Sequence, residues 1–197
     1  MKVLALGILL LAAGCDRMIM PQQDAVYAPR EAGLTLVYQN PSAPERGRLQ
    51  VRVKHTEETS VGLEVVETFT TLTGQSEATF RQKEGLVALK VDGTNEINLL
   101  PEGFPDRVSR WEERGFMNFV VGRSQVDLPG VKLPDPDAVG VWVESVPPSP
   151  GGVRRRTLLV PNYGEVETLN WKNGRWVIVN ILVSQGFTDP PPAGSVK

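Results

Sequence analysis

The sequence predicts an all-β domain: a mainly antiparallel curved sheet or half-open barrel with one or two short helices, a two-sheet β-sandwich being the alternative. Three observations carry that prediction. Apolar and polar residues alternate through several stretches, the period of a strand with one buried face. Glycine and proline, 19 and 16 of 197 residues, cut the chain into short segments. Asn173-Gly174 stands between two apolar runs, the pattern of a two-residue hairpin turn. The length is that of one domain, and the formal net charge is −2. Without a basic face or an aromatic-basic platform, no nucleic-acid partner is expected.

The chain opens with Lys2, an apolar run over 3–11, and small residues up to Gly14. Residues 1–14 therefore read as a secretory signal peptide. The run is too short to span a bilayer as a helix, which takes about 20 apolar residues. Leu11-Ala12-Ala13-Gly14-Cys15 resembles the lipobox of bacterial lipoproteins. That resemblance implies a diacylglyceryl group on the Cys15 sulfur, cleavage before Cys15 and acylation of the new amine. The expected membrane partner is thus reached through acyl chains on Cys15, and two or more chains hold firmly. Cys15 is the one cysteine, so no disulfide is expected. Asp16 resembles an inner-membrane retention signal of enteric lipoproteins, and inner versus outer membrane stays open. Cleavage removes Lys2 and takes the formal charge from −2 to −3. Residues 15–26 form the lipidated cysteine and a short tether, about 35 Å when extended.

Residues 27–188 form the single β domain, with a strand starting at Leu34. Tyr27, Pro29, Gly33 and Tyr38 are spaced like the opening Tyr-x-Pro-x-x-x-Gly-x-x-Trp-x-Tyr of a group of bacterial lipoproteins, with Leu36 in the tryptophan position. A fainter echo follows at Pro161-Asn162-Tyr163-Gly164-Glu165-Val166. The resemblance implies an antiparallel β domain and carries no activity.

Residues 48–56 alternate cleanly, with Leu49, Val51, Val53 and His55 on one face. Val61, Leu63, Val65 and Phe69 continue the pattern over 60–72, interrupted by Glu67. Strands over 75–82 and 86–91 complete a four-stranded meander. Asp106 is a candidate cap for a short helix over 107–114 ended by Gly115, with a strand there as the other reading. Residues 116–121 read as extended. The proline-rich stretch 128–137 reads as a loop covering the barrel. Strands are expected over 139–146, 154–160, 165–171 and 175–184. The last hairpin pairs Trp171 with Trp176, and the apolar run 177–183 reads as a central strand covered on both faces. Residues 189–197, with three consecutive prolines, form a tail. Nine or ten strands result.

The chemistry-bearing residues are few. His55 is the single histidine. No Gly-x-Ser-x-Gly, Ser-x-x-Lys or free cysteine accompanies it, so no catalytic residue is assigned and no enzyme is expected. The usual zinc sets are missing; Asp135 and Asp137 are the one weak calcium pair, and no metal or cofactor is assigned. Glu165 and Glu167 share a strand face and would be the carboxylates of a hydrolase, a third-ranked alternative. Arg154-Arg155-Arg156 is the dense basic cluster. Arg154 and Arg156 share a face and Arg155 lies opposite. Trp142, Arg154, Arg156, Trp171 and Trp176 make up the candidate ligand or partner surface, and Trp142, Trp171, Trp176, Phe116 and Phe119 are candidate cavity aromatics. The expected function is non-catalytic binding of a protein partner or an apolar ligand by a lipid-anchored cell-envelope lipoprotein. A structural subunit of an envelope complex is the alternative.

Overall fold

The computed structural model describes residues 25–44, 46–92, 95–133 and 135–187. Cys15, Asp16, the signal peptide and the 189–197 tail lie outside them. The described residues form one sheet of twelve antiparallel strands and contain no helix. The first half holds β1 (Leu34–Gln39), β2 (Leu49–Thr59), β3 (Gly62–Thr71), β4 (Gly74–Lys83), β5 (Leu86–Asp92) and β6 (Asn95–Leu100). The second holds β7 (Arg110–Glu113), β8 (Phe116–Gln125), β9 (Val139–Val146), β10 (Arg155–Val160), β11 (Gly164–Lys172) and β12 (Arg175–Phe187).

The pairing order is β6-β5-β4-β3-β2-β1-β12-β11-β10-β9-β8-β7. Two meanders are therefore joined through β1 and β12. β6 and β7 are the sheet edges. The sheet curls until its ends share a core: Val87 of β5 and Leu100 of β6 pack in one cluster with Phe104 and with Val141 and Val143 of β9. Trp111 of β7 packs against the same cluster. The result is a nearly closed barrel-shaped sheet.

Local chemistry explains most of the turns. Asn173 and Gly174 take positive φ values of 50° and 77°, as a type I′ turn requires. Lys172 then pairs with Arg175 and Trp171 with Trp176, with ring centroids 5.1 Å apart. Glu84 and Gly85 turn β4 into β5 with φ values of 47° and 84°. The 48–91 meander takes the expected four strands.

Several expectations are corrected. The helix over 107–114 does not form. Arg114 and Gly115, with φ values of 51° and 79°, make a two-residue turn that pairs Glu113 with Phe116, so β7 and β8 form a hairpin. The helix-like spacing of Val108 and Trp111 had another cause: Trp111 packs edge-on to Phe104 at 5.4 Å. β6 was not expected. It is an edge strand with an exposed polar start and a buried Leu100, fastened by Arg81 Nε donating to Glu96 Oε1 at 2.9 Å. The register shifts between Val53 and His55, which breaks the alternation, and His55 faces solvent 3.8 Å from Glu57. β12 is central in the pairing, yet within 177–183 only Leu182 is fully buried.

The proline-rich connection is a loop that packs into the core of the barrel, in a cluster that also holds Tyr38 and Val51. In this second cluster its Leu128, 5% exposed, joins Leu34, Leu36, Leu158, Val160 and Leu182. Leu36, in the tryptophan position of the lipoprotein opening, is a core residue at 1% exposure. The two stretches that carry that resemblance meet. The Asn162 amide donates to the Val26 carbonyl at 2.8 Å. A Cβ on Gly164 would lie 3.1 Å from Pro29 Cδ. Gln82 Nε2 donates to the Pro29 carbonyl at 2.9 Å and ties the same segment to β4. The segment 25–29 thus packs across one end of the barrel.

Candidate functional site

Curling the sheet leaves a cavity of about 530 Å³, and all twelve strands contribute to its wall. Tyr27, Ala28 and Pro29 of the segment before β1 also line it. Its apolar surface comes from residues such as Phe69, Phe80, Val87, Leu100, Val143 and Leu159. All three tyrosines of the chain, Tyr27, Tyr38 and Tyr163, line it as well. Burial, the largest influence on each, raises all three phenols above their usual value.

The polar groups fall into two sets. One is Glu67 of β3, Tyr38 of β1 and Glu165 of β11. Glu67 lies on the face that carries Val65 and Phe69, at 5% exposure. It has no hydrogen-bond or ion-pair partner among the described residues. Burial pushes its carboxyl up to about 8, because the charged form loses its hydration and gains nothing in return. Tyr38 is raised well above the usual value, first by burial, then by the charges of Glu165 and Glu67. Glu165 accepts a hydrogen bond from the Thr168 hydroxyl. The second set follows the register across β7 to β10: Trp111 beside Asn118, Asn118 beside Ser145, Ser145 beside Arg155. Ser145 Oγ donates to Asn118 Oδ1 at 2.6 Å. The Trp111 indole N–H is buried without a partner, a state that native interiors rarely tolerate.

None of the expected surface residues lines this cavity. The structure nonetheless brings Trp142, Arg154, Arg156, Trp171 and Trp176 together on the opposite face of the sheet. Their centre is Glu144, 6% exposed. Arg154 Nε donates to it at 3.1 Å and Arg156 Nε at 2.9 Å. Burial works to raise the Glu144 carboxyl, but the hydrogen bonds and charges of Arg154 and Arg156 outweigh it and hold the group below its usual value. Arg156 lies 4.4 Å from the Trp176 ring centroid, and Arg154 lies 5.8 Å from both Trp171 and Trp176. The two arginines therefore share one carboxylate, and the cluster keeps a net positive charge. Trp142 and Trp176 line a shallow recess with Val121, Arg156 and Leu169.

Arg155 points the other way, as period-two spacing requires, and lines the cavity. Sequence reasoning assigned it no role. It also passed over Glu67, although the signal was present: a carboxylate inside an otherwise apolar strand face. Glu167 is raised by burial but does not line the cavity, so it is not paired with Glu165 there. Phe116 and Phe119 are likewise absent from the wall. Among the described residues, no group of three or more His, Cys, Asp or Glu is placed to hold a metal ion, the Asp135–Asp137 loop included.

No protein-family profile matches the chain, and no curated protein matches it. Two solved structures resemble it. One, described as an exported protein with a YmcC-like fold from Bacteroides fragilis, has a TM-score of 0.47 at 16% identity and covers 82% of this chain and 99% of its own. The other, described as a lipoprotein from Parabacteroides distasonis, has a TM-score of 0.45 at 15% identity and covers 84% of this chain and 100% of its own.

Proposed function

We propose that this chain is a lipid-anchored envelope protein that binds a small, largely apolar ligand inside its barrel without transforming it. The observation that carries this reading is the cavity itself. About 530 Å³ lies within the range of about 300–1,000 Å³ usual for small-molecule sites. Apolar walls with a few buried polar groups are also the usual composition of such sites. The lipobox supplies the address: Cys15 holds the protein to a membrane face, inner or outer. Nothing on the cavity wall pairs a nucleophile with a base. Ser145 donates to an amide oxygen, and the single histidine stands outside in solvent.

The test is a lipid and metabolite extraction of the full-length lipoprotein purified from envelopes, followed by mass spectrometry. A second sample carries Val143→Phe and Leu159→Phe, which fill the cavity. A species recovered from the wild type and lost from the filled variant supports the reading. Bare wild-type polypeptide, or identical extracts from both, refutes it.

A further inference from the structure

We infer that the ligand carries a cationic amine seated against Glu67, with an apolar body filling the rest of the cavity; the inference rests on the ligand-binding reading above. Glu67 is the residue hardest to explain as mere structure. It occupies a position in β3 where Val65 on one side and Phe69 on the other continue an apolar face. Burying a carboxyl without a partner is unfavourable, and a valine or leucine there would stabilise the sheet instead. Among the described residues, the group neither caps a turn nor pairs with a cation. It does line the cavity.

The rest of the wall has the same bias. Among the described residues, the carboxylates that line the cavity are Glu67, Glu113 and Glu165, and the one cation that does so is Arg155. Arg155 opens β10 and is exposed, so water screens it, while Glu67 is buried. An anionic ligand would bring its charge to a desolvated acidic wall. An ammonium meets a carboxylate and a ring of π-faces. Tyr27, Tyr38, Phe69, Phe80, Trp111 and Tyr163 all line the space. Cations are attracted to aromatic faces, and most strongly where water is excluded.

The raised Glu67 carboxyl adds a signature. With a value of about 8 the group is mostly protonated at pH 7 in the empty cavity. A bound ammonium favours the ionised form, so Glu67 gives up its proton to solvent on binding. Affinity then rises about ninefold from pH 6 to 7 and about fivefold from pH 7 to 8, and flattens above. The other titratable groups on the wall are Tyr38 of β1, Glu113 of β7, Arg155 of β10, Tyr163 and Glu165 near the start of β11, and Tyr27. All the tyrosines are raised, so none of these phenols titrates in that window.

The experiment uses the full-length lipoprotein in lipid nanodiscs, with empty nanodiscs as blank. Hexylammonium, hexanoate and hexan-1-ol are titrated calorimetrically at pH 6, 7 and 8 in buffers of different ionisation heat. The expected result is hexylammonium bound at least tenfold tighter than either analogue, with close to one proton released at pH 7. Glu67→Gln should weaken hexylammonium at least tenfold and abolish the proton release. Should that variant fail to fold, the wild-type proton count and pH slope decide alone. Hexanoate or hexanol bound as well as the amine overturns the inference while leaving a ligand cavity in place. Hexylammonium bound without proton release also overturns it. No binding of any of the three overturns it too, and the extraction experiment then judges the ligand reading separately.

Discussion

Glu67 should make the protein less stable as pH rises, which is the reverse of ordinary carboxylate behaviour. The folded chain holds this carboxyl at about 8 against a usual value of 4.5. Between those values the native state binds a proton that the unfolded chain has released, so stability falls with increasing pH. At about 1.36 kcal/mol per tenfold change in proton affinity, the full penalty approaches about 5 kcal/mol above pH 8. Between pH 5 and pH 8 it grows by about 3.5 kcal/mol. Glu67→Gln keeps the shape and removes the titration. Urea unfolding followed by tryptophan fluorescence at pH 5, 6, 7 and 8 would measure both proteins. The variant should gain on the wild type by a few kcal/mol across that range. Parallel stability curves would refute the argument, because they would mean that Glu67 is solvated or paired in the folded protein.

Other substitutions test the remaining structure. Glu144→Ala removes the acceptor shared by Arg154 and Arg156 and should destabilise by about 1–3 kcal/mol in chemical denaturation. The sign with pH is opposite to that of Glu67: the Glu144 contribution is present above the usual value of 4.5 and is lost as pH falls through its lowered value. Gly164→Ala places a Cβ 3.1 Å from Pro29 Cδ and 3.3 Å from Ala28 Cα, at a φ of 75°. It should cost about 2 kcal/mol and speed proteolysis of the 25–29 segment. Gly174→Ala, with a φ of 77° and open space around it, should cost only about 1 kcal/mol in a thermal melt. Leu36→Ala, in the packed core, should cost about 3 kcal/mol by urea titration and leave the cavity wall intact.

Much of this architecture was legible in the sequence because strand alternation and turn chemistry are local. The 48–91 meander and the Asn173-Gly174 hairpin follow from period two and from residues that accept positive φ. The places that misled are also physical. Arg114-Gly115 is a hairpin turn without the asparagine or aspartate that advertises one, so β7 passed for a helix. The register shift after Val53 inverts the alternation and turns His55 outward, and no local pattern announces it. β6 mixes Asn95, Glu96 and Asn98 with Ile97, Leu99 and Leu100 without a clean alternation, and its strand state depends on β5 beside it.

By itself the sequence determined the strand period and the clustering of Arg154 and Arg156 on one face of a strand, and it carries the pattern from which an envelope address is proposed. Those properties belong to short stretches: a lipobox-like pentapeptide, an alternation, a spacing of two. Only the tertiary structure decided which face encloses a cavity. Curvature brings Glu67, Tyr38 and Glu165 onto one wall from three strands distant in sequence. It brings Val87 and Leu100 against Val141 and Val143 across the closing ends of the sheet. It sends Arg155 inward while its two neighbours share Glu144 on the other face. Alternation tells that a strand has two faces; the closure of the whole sheet tells which one encloses the cavity.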